Sequence, residues 1–94
     1  MQILHQLHGN RGMFFIPADE EGLLAEVVYS LQPPNMIIEH TEVDEELRGQ
    51  NVGFRLVNTI VEHARSHHYK IIPICPFVKS IMDKKPDYKD VLAE

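Results

Sequence analysis

Two groups of residues in this sequence have the types and spacing to do chemistry. The first is Asp44-Glu45-Glu46-Leu47-Arg48-Gly49-Gln50-Asn51-Val52-Gly53, between an apolar run and a stretch of helical periodicity. A helix start presents unpaired N–H groups and the positive end of a dipole, and together these hold phosphate. Glycines let backbone curl around an anion without a Cβ in the way, and Arg48 adds a fixed, bidentate charge. The plainer reading is that Gly49 and Gly53 shape a tight turn and pack the helix on its neighbour. The spacing is neither a Walker A nor a dinucleotide pattern.

The second group is Cys75 with His40. Cys75 closes the apolar run Ile71-Ile72-Pro73-Ile74 and precedes Pro76, a residue that suits the first position of a helix. A helix start beside a cysteine favours the thiolate. His40 lies near the end of another apolar run, so the two meet if those runs are neighbours. Such a pair can act as nucleophile and base, or the thiol can donate a proton directly. The plainer reading of Cys75 is a small buried residue. The alternation of its strand puts His40 with Ile38, so a bulge is needed to aim it into a shared cleft. His63 and His67 are spaced to share a metal ion on one helix face, but spacing suggests no third ligand, and no metal is expected.

The elements that must position these residues follow from periodicity. Ile3–His8 and Met13–Ile16 read as short strands around the turn at Gly9-Asn10-Arg11-Gly12. Leu23, Ala25, Val27, Tyr29 and Leu31 alternate with polar residues as in a half-buried strand. Pro33-Pro34-Asn35 breaks it, and Met36–Val43 is the next. Short connections favour an antiparallel meander to this point. The period then becomes helical. Leu56, Val57, Ile60, Val61 and Ala64 form one stripe, predicting a helix from about Val52 to His67. Strand Ile71–Cys75 follows, and strand–helix–strand implies a right-handed crossover and a parallel pair. Pro73 cannot donate to a ladder, so the pair splays or lies at an edge there. A second helix starts at Pro76, with Phe77, Val78, Ile81 and Met82 as its apolar stripe, and Pro86 stops it. The tail is expected to be irregular, with Tyr88 and Phe77 as packing residues. The fold class is α+β with one βαβ unit, in a single domain over residues 1–94.

Bulk properties exclude several functions. Asp and Glu outnumber Lys and Arg by 14 to 9, the wrong balance for a partner bound through phosphate counterion release, so no nucleic acid is expected. No apolar run is long enough to span a bilayer. The single cysteine and a start that does not read as a secretory leader point to a cytoplasmic setting. The sequence is compatible with a monomer.

Val43 to Gly53 resembles the pyrophosphate loop of the GNAT superfamily, whose pattern is Q/R-x-x-G-x-G/A. Arg48 falls at its first position, Asn51 at its first glycine and Gly53 at its last. Asn51 departs from that pattern, although asparagine tolerates left-handed φ. Further likeness, to minimal single-domain GNAT-like acetyltransferases, is carried by Glu39-His40-Thr41-Glu42-Val43, Leu47-Arg48-Gly49-Gln50, Ile71-Ile72-Pro73-Ile74-Cys75-Pro76-Phe77-Val78-Lys79-Ser80 and Pro86-Asp87-Tyr88. It covers nearly the whole chain. The resemblance implies a stripped GNAT fold: a meander, a splayed parallel pair and two helices. It implies an N-acetyltransferase with acetyl-CoA (coenzyme A) as donor and a small-molecule or protein amine as acceptor. Val43, Arg48, Gly49, Gln50, Asn51, Val52 and Gly53 would bind the cofactor, with Cys75 and His40 near the thioester. Larger relatives wall the acceptor site with further strands, so an open acceptor site is expected. The alternative is a CoA-binding or protein-interaction module without turnover.

Overall fold

A computed structural model of the chain describes residues 2–47 and 49–93. Arg48, expected at the first motif position, lies outside the described residues, as do Met1 and Glu94. Strands β1 (Leu4–His8), β2 (Arg11–Pro17), β3 (Leu23–Gln32) and β4 (Asn35–Val43) form an antiparallel meander. Helix α1 (Val52–His67) carries the chain back to β5 (Lys70–Pro73), which pairs parallel with β4. Helix α2 (Pro76–Asp83) follows, and 3₁₀ turns cover Glu45–Leu47 and Pro86–Val91.

Both helices lie against one face of the sheet. The expected α1 stripe, Leu56, Val57, Ile60, Val61 and Ala64, is buried, and Val52 joins it. It packs on Phe14, Ile16, Val27, Tyr29, Met36 and Ile38 in one core. α2 contributes Val78, Ile81 and Met82. Phe77 departs from its expected place in that stripe, because at 43% exposure its ring leans off the core. The tail is more ordered than expected. Tyr88 and Val91 are buried, Tyr88 Oη donates to Asn58 Oδ1 at 3.2 Å, and Arg65 holds the Asp90 carboxylate through two hydrogen bonds of 2.8 Å. No helix among the described residues is long and apolar enough to cross a membrane.

Two backbone features at the C-terminal end of β4 decide what this fold can do. The parallel ladder runs from Asn35↔Lys70 to Ile38↔Pro73 and stops there. Ile74 and Cys75 both donate their N–H groups to the single Ile38 carbonyl, at 3.1 and 3.0 Å. β5 thus ends two residues earlier than its apolar run, for the reason Pro73 suggested: it has no N–H to extend the ladder. β4 runs on alone toward Val43, so the expected splay is present. The second feature is a bulge. Tyr29 pairs with Ile38 and the adjacent Val28 with His40, leaving Glu39 as an extra residue in β4.

Candidate active site

The bulge sets which side chains enter the cleft between the diverging strands. In a regular strand His40 and Glu42 would share the helix-covered face with Ile38. With Glu39 inserted, Thr41 and Val43 take that face instead, opposite the buried Val27 and Ala25. The Cys75 thiol donates to Thr41 Oγ1 at 3.2 Å. The expected meeting of Cys75 with His40 does not occur. His40 lies on the open face, its Nε2 3.7 Å from Glu42 with the His40 side chain 58% exposed. A bulge is present where one was anticipated, but it turns His40 away from the cleft. Polar side chains pin it there: Ser30 Oγ donates to Glu39 Oε2 at 2.7 Å, and Arg11 pairs with Glu39 at 3.2 Å.

Cys75 is the N-cap of α2, with Pro76 next in the helix's first turn. Cys75 as a whole is 6% exposed and belongs to the core. Thr41, in front of it, lines a cavity of about 400 Å³ together with Val43, Gly49 and Phe77. Threonine 41 and Phe77 are the site residues that composition and spacing do not reveal. Thr41 could be found only by locating the bulge, and Phe77 looks like one more core position of an amphipathic helix.

The loop at the far end of this cavity has the conformations its sequence suggested. Gly49 has φ +84° and its Cβ position faces open space. Asn51 is the α1 N-cap in the left-handed region, at φ 59° and ψ 23°, and its side chain caps none of the first-turn N–H groups. A helix start without a side-chain cap is the kind that anion binding uses. Leu47 and Val52, both buried, anchor the loop on either side, while the Gln50 side chain donates to the Glu46 carbonyl at 3.2 Å. Gly53 serves differently. A Cβ there would lie 2.5 Å from the Phe77 ring and 3.3 Å from Ile81, so this glycine gives room to α2. Asn51→Gly should stabilise the fold by about 0.5–1 kcal/mol, because a Cβ in left-handed backbone is strained. Urea melts would show this, and a lowered midpoint would mean that the asparagine side chain contributes more than its backbone costs.

Two further polar clusters lie outside the cleft. His63 and His67 stack at 4.1 Å between ring centroids, and β1 brings His5 to within 4.7 Å of His63. A third histidine is therefore near, which sequence spacing could not show. His63 and His67 stack while His5 meets His63 edge-on, and among the described residues these three do not bring their nitrogens together as a ligand set. Burial first, then the neighbouring His67 and His5, push the His63 pKa down to about 4. On the open face, Glu26, His40 and Glu42 bring their ligand atoms within 4.8 Å of one another.

Comparison with known proteins fits this architecture. The family model of GCN5-related N-acetyl-transferases matches residues 13–91. The solution structure of a GCN5-like candidate N-acetyltransferase from Staphylococcus aureus is 39% identical, over 98% of this chain and 87% of that one, with a TM-score of 0.76. Nourseothricin acetyltransferase is 26% identical over 69% of this chain and 40% of its own, with a TM-score of 0.56. A ribosomal-protein-alanine N-acetyltransferase from Brucella melitensis, at 17% identity and a TM-score of 0.59, is similar in fold over 90% of this chain and 64% of its own. The chain thus spans less than two thirds of these last two proteins. No curated protein matches it.

Proposed function

This chain belongs to the GCN5-related N-acetyltransferase family and is an acetyltransferase; from that premise we propose that it moves an acetyl group from acetyl-CoA to an amine, with the thioester held at Thr41 in front of Cys75. The observation that carries this reading is the abrupt end of the β4–β5 ladder at Ile38↔Pro73, with a helix start that carries no side-chain cap at Asn51. The freed edge of β4 offers backbone partners to a pantetheine arm. The first-turn N–H groups after Asn51, with Gly49 giving backbone access, suit the pyrophosphate. Val43, Gly49, Gln50, Asn51, Val52 and Gly53 form the described part of that proposed cofactor site, and Arg48 completes it in sequence.

The chemistry needs a neutral amine and a proton for the departing sulfur. The amine nitrogen attacks the thioester carbon, the C–S bond breaks, and the CoA thiolate leaves. Thr41 passes its hydroxyl proton to that sulfur and takes one from the Cys75 thiol, its partner at 3.2 Å. The amine's surplus proton is lost to solvent, from which Cys75 is restored. A thiol supplying a thiolate is a chemically matched exchange. With its sulfur buried behind Thr41, Cys75 suits this relay better than it suits a nucleophile, and His40 has no part in it. A hollow of about 380 Å³ lined by Leu23–Glu26 and Thr41–Asp44 adjoins the cleft at Thr41 and Val43. Its carboxylates Glu26, Glu42 and Asp44 suit an amine that arrives as a cation.

Titration with acetyl-CoA followed by amide NMR tests this placement. The expected result is shifts concentrated at Thr41–Val43 and Gly49–Phe54. Shifts confined to other surfaces, or none at millimolar CoA, would refute it.

A further inference from the structure

Phe77 is a large apolar side chain left 43% exposed, although it stands on the same helix as the buried Val78, Ile81 and Met82. Its ring does not spread over open surface. It reaches back across the cleft toward α1, so that a Cβ on Gly53 would lie 2.5 Å from its tip. From that seat the ring forms one wall of the cavity whose other members are Thr41, Val43 and Gly49. Thr41 marks the Cys75 end of this passage, and Gly49 marks the end at the α1 loop. An aromatic ring between a phosphate-type loop and a reacting centre faces whatever joins the two.

We propose that Phe77 is the residue that grips the pantetheine arm of the donor, and that Gly53 is kept small to seat its ring. This rests on the donor reading above and extends it to a residue on α2. In this account the last glycine of the loop motif acts on the cofactor indirectly. Beside its place in the loop, it fixes how far the Phe77 ring stands from β4. The exposed part of the ring is covered only when the arm lies in the passage, so its contribution goes to the arm and not to the nucleotide.

Calorimetry with three ligands and three variants tests this. Phe77→Ala should weaken acetyl-CoA and acetyl-pantetheine by the same factor, about tenfold, and leave adenosine 3′,5′-bisphosphate unchanged. Gly53→Ala should weaken the same two ligands by pushing the ring toward β4. In the Phe77→Ala background, Gly53→Ala should have a much smaller further effect, because its Cβ then meets only the end of the Ile81 side chain. Equal loss for all three ligands would overturn the proposal, since that pattern marks general damage. So would unchanged acetyl-CoA affinity in a folded Phe77→Ala protein. If the parent protein binds neither CoA nor adenosine 3′,5′-bisphosphate, the donor assignment itself fails and this inference with it. The amide spectrum of each variant reports folding, and Phe77→Leu, which keeps apolar volume, should recover part of the affinity.

Discussion

Thr41→Val and Cys75→Ala should each lower turnover of acetyl-CoA about a hundredfold, the usual scale for losing a proton donor. The double variant should lose no more than either single one. Two groups working in series on one proton fail together, whereas independent contributions would multiply to about ten-thousandfold. Thr41→Val keeps the shape of the side chain and removes only the hydroxyl that Cys75 addresses at 3.2 Å. Cys75→Ala also removes a packed sulfur from the core, at a cost of about 1 kcal/mol. Rates should therefore be compared well below each melting midpoint, with CoA affinity checked by calorimetry. Full turnover in folded Cys75→Ala would reduce the cysteine to a packing residue. A multiplicative double variant would show that the two groups do not share a proton.

Acid should loosen the packing of α1 on the first hairpin. The His63 ring is wedged between α1 and the first hairpin. Phe14 meets it edge-on at 5.4 Å, His5 at 4.7 Å, and His67 stacks on it at 4.1 Å. Tyr29 supports His5 through a hydrogen bond of 2.5 Å between its hydroxyl and Nε2, and Tyr69 stacks on His67. No carboxylate is found among these ring contacts of the described residues. Burial, with the two other histidines, holds the folded-state pKa of His63 near 4 against 6.5 for a free ring; burial and then His67 lower that of His5 as well. Between those values the unfolded chain binds a proton that the folded chain refuses. Stability is thus full above about pH 6.5 and falls as the pH drops toward 4. The His63 shift alone corresponds to at most about 3 kcal/mol, and solvent screening at a half-buried ring reduces the expected loss to about 1–2 kcal/mol. Urea melts between pH 7.5 and 5 stay above the carboxylate range and isolate this effect. His63→Leu should flatten the dependence. Equal slopes in parent and variant would remove His63 from the account.

The parts of this fold that were legible in the sequence are those written in local periodicity. The α1 stripe from Leu56 to Ala64, the alternation of β3 and the proline break before β4 all appear where the pattern placed them. Pro73 announced the splay because a missing N–H is a local fact. Asn51 was readable for the same reason, since its backbone preference belongs to the residue itself. Non-local facts were hidden. The side of β4 that Thr41 occupies depends on an extra residue in the ladder with β3, and the bulge expected to aim His40 into the cleft presents Thr41 there instead. Phe77 fits the helical period of α2 as well as Val78 does, and only the approach of α1 at Gly53 shows that its ring has another seat. His5 reaches His63 by hairpin pairing and helix packing, across 58 positions that no spacing rule spans.

A strand has two reading frames, one for each face, and Glu39 shifts β4 from one to the other partway along. Up to Ile38 the frame is set by the core. Beyond it, side chains are presented in the opposite phase, so residues 40–43 are released from the hydrophobic pattern that dictates residues 36–38. The shift is fastened from the sheet's uncovered side, where Ser30 of β3 and Arg11 of β2 hold the inserted carboxylate. By slipping phase inside an existing strand, β4 turns Thr41 and Val43 toward the cleft with backbone that its core already requires, and the ion pair at Glu39 lies on the opposite face.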